Sequence, residues 1–177
     1  MSDLATMDAF GVLTEPTTLT IQRVLPGTME RVWAYLTQSD LRCKWLAAGD
    51  MEMKVGAPFT LTWRNDELTD PPGARPEGFS TEHSMQSRII ALDPPRKLAF
   101  SWGSSGDVTF ELEPRSNGVL LTVTHRGLTE RPSRLMIGAG WHAHLDILVA
   151  LASDTKPSPF WDDWSKLRQE YDRIIPA

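Results

Sequence analysis

One cysteine, Cys43, stands in 177 residues, so no internal disulfide can form and a reducing, cytoplasmic setting is the expectation. Basic residues are scattered and outnumbered: 18 Lys and Arg against 23 Asp and Glu give a formal net charge of −5. Nucleic acid wants a concentrated basic face, and the chain has no basic cluster to build one. Apolar runs are short. The longest, around Leu145 to Ala152, falls well below the roughly 20 residues of a membrane span. The opening MSDLATMDAF carries neither the basic region nor the apolar core of a secretory signal. Glycine-rich phosphate motifs are missing, which leaves nucleotide binding without support.

Tryptophan, by contrast, is plentiful: Trp33, Trp45, Trp63, Trp102, Trp141, Trp161 and Trp164 make seven. Each buries a large ring and carries an N–H that needs a partner, so a small core seldom takes many. Either the core is unusually aromatic, or several rings line a space that protein does not fill. The 41% apolar and 23% charged content is that of one globular domain, large enough to form a core without staples.

Periodicity divides the chain. Residues up to about 16 show no sustained pattern and read as an N-terminal extension. Thr18 to Leu25 alternate as a strand, stopped by Pro26-Gly27. Thr28 is placed to cap a helix with Met29, Val32, Trp33 and Leu36 on one face and Glu30 in its first turn. Ser39 is placed to cap a second, short helix carrying Leu41 and Trp45, with Gly49 beyond its end. A meander of antiparallel strands follows. Its inward sets are Phe59, Leu61 and Trp63; Leu98, Phe100 and Trp102; Val108, Phe110 and Leu112; and Leu121, Val123 and His125. Another strand spans about 82–92, where Ile89 and Ile90 break the alternation and leave the facing of Arg88 open.

The polar, Pro- and Gly-rich segment 65–81 reads as a flexible loop, either gating a site or merely solvated. After Thr129 the period becomes helical, with Ile137, Trp141, Leu145, Leu148 and Ala152 in one stripe widened by His144, Ile147 and Leu151. Gly138 and Gly140 weaken its first turns, predicting a kink or a later start. A last amphipathic helix presents Phe160, Trp164, Leu167, Tyr171 and Ile174, a stripe that must pack on the domain or on a second copy. Trp161 and Trp164 are read as serving that docking. The predicted class is α+β, a curved antiparallel sheet of about six or seven strands wrapped around a long helix, since that helix alone matches the sheet in length.

This order, together with PGTMERVW at 26–33, KWL at 44–46, LDPPRKL at 92–98 through Trp102, LTVTHRGL at 121–128, and Gly140-Trp141 with Leu145 and Leu148 behind, resembles the helix-grip fold of the START-like, or SRPBCC, superfamily. Within it the chain is similar to the homologues of the activator of heat-shock protein 90 ATPase. The resemblance implies a START-like domain over 17–153, with the helix of 154–177 packed upon it. It also implies a cavity between sheet and long helix. The sequence supplies the cavity's candidate lining: Trp33, Leu36, Trp45, Phe59, Leu61, Trp63, Leu98, Phe100, Trp102, Phe110, Val123, His125, Trp141, His144, Leu145 and Leu148. Such a lining suits a small apolar ligand. Trp45, Trp63, Trp102 and Trp141 are the four rings expected to surround one space.

Chemistry beyond binding is thinly signalled. His125 points inward, as a polar anchor or, the preferred reading, as a hydrogen-bonded core histidine. His144, at the edge of the inner stripe, is placed to meet it across the cavity. His142 is expected to form a solvated i, i+4 pair with Asp146. His142 and His144, two apart, cannot grip one metal, and no metal or other cofactor is expected. Glu111 and Glu113 alternate outward. Cys43 reads as an incidental thiol, and Ser104-Ser105-Gly106 as a turn without the context of a hydrolase serine. The leading expectation is therefore a non-catalytic binding protein. A polyketide cyclase-like enzyme using cavity histidines is the alternative, and a chaperone-directed module the third. A homodimer through the last helix is the other partner considered.

Overall fold

A computed structural model describes residues 9–104 and 106–176; Ser105 of the predicted turn and the first eight residues of the predicted extension lie outside them. Seven strands form one antiparallel sheet: β1 Val12–Glu15, β2 Thr18–Leu25, β3 Pro58–Trp63, β4 His83–Asp93, β5 Lys97–Ser101, β6 Asp107–Arg115 and β7 Gly118–Arg126. Their order is β1-β2-β7-β6-β5-β4-β3, so β2 pairs with β7 and the meander leads outward from it. Among the described residues four α-helices accompany the sheet: α1 Met29–Thr37, α2 Ser39–Arg42, α3 Arg131–Ala152 and α4 Phe160–Ile174.

The inward alternation is the force that sets the sheet's register. In β2 the inner face carries Leu19, Ile21, Arg23 and Leu25, and it meets Val123, Leu121 and their neighbours on β7. A one-residue slip would turn this entire set to solvent, so burial fixes the pairing. The 22 residues of α3 cover that face with Leu135, Ala139, Trp141, Leu145 and Leu148. By length and apolarity alone α3 could cross a bilayer, but most of it is buried in this domain. It is a core helix.

Several local expectations change. Part of the predicted extension is an edge strand: β1 pairs with β2, and its mostly exposed residues carry no inward alternation to read. Thr28 caps α1 as expected, its hydroxyl accepting from Arg31 N–H at 3.1 Å. Ser39 does not cap α2; its hydroxyl instead accepts the N–H of Gly49 at 2.9 Å. Gly49 has a φ of 144°, and a Cβ there would lie 1.9 Å from the carbonyl oxygen of Thr60, so only glycine fits. The broken alternation at Ile89 and Ile90 is a bulge, with a register shift between Ile89 and Ala91. Arg88 accordingly faces outward, donating to the carbonyl of Gly56 at 2.6 Å.

The long helix does not start late. It runs unbroken from Arg131, with proline in its first turn, where the missing N–H costs nothing. Arg131 ties that start to the far end of α4 through the Asp172 carboxylate at 2.9 Å and the carbonyls of Asp172, Ile175 and Pro176. Phe160, Trp161, Trp164 and Tyr171 of α4 are buried within the chain. The apolar stripe that raised the thought of a second copy is thus covered in cis, apart from Ile174, which is exposed.

The most unexpected core group is Arg42, fully buried. Its guanidinium donates to the carbonyls of Ala47, Leu36, Thr37 and Gly49, clamping both sides of the α1–α2 corner. Desolvation lowers its pKa to about 10, which leaves it charged at neutral pH.

Candidate functional site

An open pocket of about 410 Å³ lies at the end of the sheet where β3 and β5 finish and β4 begins. One wall comes from the sheet and the long helix. Trp63 closes β3, Trp102 follows β5, and Trp141 reaches over from α3. Their rings touch in sequence, Trp63 to Trp102 at 5.5 Å and Trp102 to Trp141 at 5.8 Å between centroids. The second wall comes from the first turns of α4 and the tip of the 65–81 loop. Phe160, Trp161, Trp164 and Phe79 form it, with Phe79 5.3 Å from Trp161 and 5.1 Å from Trp164. Ring contacts run within each wall, but among the described residues none joins Trp63, Trp102 or Trp141 to the second set. Leu46, Met85, Met136 and Ile137 fill in the sides, and Gly140 leaves α3 without a side chain there.

The loop is held in place by α4. Trp161 Nε1–H donates to Asp66 at 2.7 Å, and its backbone N–H to the carbonyl of Pro72 at 2.9 Å. Asp162 accepts from Ala74 N–H at 3.0 Å, and Phe160 N–H donates to the Thr69 hydroxyl at 3.0 Å. Arg75 bonds Asp66 from within the loop. The segment read as a flexible loop is thus hydrogen-bonded to α4 and forms part of the pocket wall.

Polar groups are few. His144 is buried, stacks on Phe160 at 4.8 Å, and bonds the carbonyl of Trp45 through Nδ1 at 2.8 Å. A carbonyl only accepts, so Nδ1 carries the hydrogen. Burial lowers its pKa to about 4, against the smaller raising effect of the Trp45 carbonyl. The ring is therefore neutral, with a lone pair on Nε2. That nitrogen has no partner among the described residues and is not sealed from solvent. Asn65 also lines the pocket, and its Oδ1 is sealed without a hydrogen-bond partner. Exposed His83 and Ser80 lie at the pocket too, the Ser80 hydroxyl being turned to the carbonyl of Glu82 at 2.7 Å. Among the described residues no Lys, Arg, Asp or Glu lines it.

Of the sixteen residues expected to line a cavity, the pocket takes Trp63, Trp102, Trp141 and His144. The others pack the core. Leu36, Phe59, Leu61, Leu98, Phe100, Phe110, Val123, Leu145 and Leu148 are buried there, and Trp33 packs half-buried against them. Trp45 is fully buried beside Phe110 and donates to the carbonyl of Tyr35 at 2.8 Å. His125 is a core histidine: its Nδ1 accepts from Trp141 Nε1–H at 2.9 Å, and burial lowers its pKa to about 4. No bond joins it to His144 among the described residues, contrary to the expected meeting across the cavity. His142 does pair with Asp146, Nε2 lying 3.6 Å from Oδ2, but its ring is buried rather than solvated. It shares a hydrogen bond with Tyr171 at 2.9 Å, and Arg23 also holds Asp146 at 3.2 Å. Among the described residues no three His, Cys, Asp or Glu are grouped to hold a metal.

Sequence reasoning missed the second wall. It assigned Trp161 and Trp164 to docking alone, yet both line the pocket. Three aromatics within the first five residues of the last helix, Phe160, Trp161 and Trp164, exceed what one docking stripe requires. Phe79, a large ring in a polar loop, was the other available signal.

Comparison with known proteins places these features. The chain is 32% identical to a Bordetella parapertussis protein whose solution structure superposes with a TM-score of 0.79, covering 97% of this chain and 93% of that one. CalU16 of Micromonospora echinospora shares the fold at 18% identity and a TM-score of 0.64, over 89% of this chain and 87% of its own. DynU16, a protein of the dynemicin biosynthetic locus, does so at 17% identity and a TM-score of 0.62, over 83% of this chain and 50% of its own. No curated protein matches the sequence. The model of the family described as Activator of Hsp90 ATPase homolog 1-like protein matches residues 27–153, most of the chain and all of the sheet from β3 onward. With its helix-grip architecture of a curved seven-stranded sheet around a long helix, the chain belongs to that family.

Proposed function

We propose that this protein binds a small, largely apolar molecule between the two aromatic walls. The observation that carries this reading is their separation: two ring clusters face one pocket of about 410 Å³ without touching. Apolar side chains that could gain by packing together are kept apart by the frame around them. That frame is built from α3, the sheet end and the hydrogen-bonded junction of loop and α4. The volume lies within the range of about 300–1,000 Å³ typical of small-molecule sites. Binding is favoured over turnover by the state of the one histidine that combines burial with access to the pocket. With its pKa held at about 4, His144 is a weak base at neutral pH and a poor carrier of protons.

The test is binding of an uncharged hydrophobic probe, Nile red, followed by its own emission and by quenching of tryptophan fluorescence. A Cβ at Gly140 would meet nothing within 4 Å, so Gly140→Leu should place a side chain in the pocket. Wild-type protein is expected to bind the dye, and the Gly140→Leu variant to bind at least tenfold more weakly at unchanged helicity. Equal binding by both proteins, or none by either, would refute the reading.

A further inference from the structure

We infer that the pocket selects an uncharged aromatic ligand bearing a hydroxyl group, with His144 Nε2 accepting the hydroxyl's hydrogen bond. The inference rests on the binding reading above and adds the chemistry of the occupant. Three observations lead to it. First, the walls are indole and phenyl faces, Trp63, Trp102, Trp141 and Trp161 among them, which suit a planar ring better than a flexible alkyl chain. Second, among the described residues the lining contains no Lys, Arg, Asp or Glu, so an ionised ligand would lose its hydration without gaining a counter-ion. Third, the polarity of the buried polar group is set. The Trp45 carbonyl accepts from His144 Nδ1 at 2.8 Å, so the tautomer puts a lone pair, not a hydrogen, on Nε2.

The burial of His144 reinforces that assignment, because desolvation keeps the ring from taking a second proton at neutral pH. A ligand carboxylate would thus meet a lone pair, while a hydroxyl would meet an acceptor. Asn65 offers the ligand no competing acceptor, because its Oδ1 is sealed.

Three naphthalenes of common shape separate the possibilities, measured by tryptophan quenching and calorimetry at pH 7.5. Naphthalene itself reports the pocket. If neither it nor any hydroxylated form binds, both the binding reading and this inference fall. In a merely apolar pocket 1-naphthol would bind more weakly than naphthalene, because its hydroxyl loses water without replacement. With His144 as acceptor, 1-naphthol is expected to bind about 3- to 10-fold tighter than naphthalene, the fold-change of one net hydrogen bond. Negatively charged 1-naphthoate should bind at least tenfold more weakly than 1-naphthol. His144→Phe should abolish the hydroxyl's advantage, bringing the ratio of 1-naphthol to naphthalene affinity to one or below.

Should that variant fail to fold, nitrogen NMR of the wild-type imidazole decides. The Nε2 resonance should be that of an unprotonated nitrogen and should move on adding 1-naphthol but not naphthalene. A protonated Nε2, an unmoved resonance, or 1-naphthoate binding as tightly as 1-naphthol would overturn the inference. Naphthalene binding would then leave the pocket itself standing.

Discussion

Two glycines in α3 provide a matched experiment, because the same substitution should stabilise at one and fail at the other. Gly140→Ala and Gly138→Ala each replace a poor helix former with the best one. In a helix interior that change is worth about 0.8–1.0 kcal/mol. At Gly140 the new methyl meets nothing within 4 Å, so the gain should survive: about 0.5–1 kcal/mol, or a melting temperature raised by roughly 1–4 °C for a chain of this size. At Gly138 the methyl would stand 3.2 Å from two ring carbons of Tyr171 and 3.4 Å from a third.

That ring has little room to retreat. Tyr171 is fully buried, its hydroxyl accepts from Gly11 N–H at 2.7 Å, and it shares a hydrogen bond with His142 at 2.9 Å. Phe10 packs on it at 5.3 Å. Overpacking of this kind costs about 1–3 kcal/mol, which cancels or outweighs the helical gain. Urea and thermal denaturation of the two single variants, monitored by circular dichroism, should therefore separate them by about 1–3 kcal/mol. A Gly138→Ala protein as stable as Gly140→Ala would show that α4 is not seated tightly on α3. Loss of stability in Gly140→Ala would show that the space beside it is already filled, and the pocket argument would fail with it.

Replacing Arg42 with Met strands the carbonyls of Leu36, Thr37, Ala47 and Gly49, at an expected cost of about 3 kcal/mol or more in urea denaturation. Arg42→Lys should recover little, because a single ammonium cannot span carbonyls on both sides of the corner. His125 and His144 both have folded pKa values near 4, below the roughly 6.5 of the unfolded chain. Protons taken up only by the unfolded chain should thus erode stability as pH falls from about 6.5 toward 4, on the order of 2 kcal/mol per histidine at pH 5. Urea midpoints at pH 7.5 and 5 check this, and a His125→Phe protein should show a shallower decline; equal slopes would refute it. Asp66→Ala removes the acceptor of both Trp161 Nε1–H and Arg75. Hydrogen exchange should accelerate at the 65–81 loop and the first turn of α4, and bound Nile red should dissociate faster, with the sheet amides unchanged.

The parts legible in the sequence are those whose burial follows a period. In β2, β6 and β7 every inward residue repeats at two, and α3 repeats its stripe along one face, so strand, inward face and cover could be read together. Where the period is interrupted the reading stopped. β1 is an edge strand without an inward set, and the bulge in β4 was visible only as an ambiguity at Ile89 and Ile90. Arg42 was illegible for a different reason. Its charge argues for the surface, and only the convergence of four carbonyls after folding makes the interior tolerable.

The pocket marks the same boundary between periodic and non-periodic information. Periodicity tells which way a ring points, not whether anything already occupies the space it points into. Phe59, Phe100 and Phe110 point inward and meet one another, with centroids 5.7 and 5.5 Å apart, so they fill the middle of the domain. Trp63, Trp102 and Trp141 point inward at its end, where the opposing surface is itself assembled from two segments nearly a hundred positions apart. The separation between Trp161 and Asp66 is 95 residues, and no window along the chain contains both. Gly140 was the local clue to that end. In the stripe it reads only as a weak helix former, yet on α3 it is a missing side chain beside Trp141, at the place where the two aromatic walls do not meet. A glycine at such a position has a steric consequence that its helix propensity alone does not disclose: it keeps space open between elements whose apolar surfaces would otherwise close it.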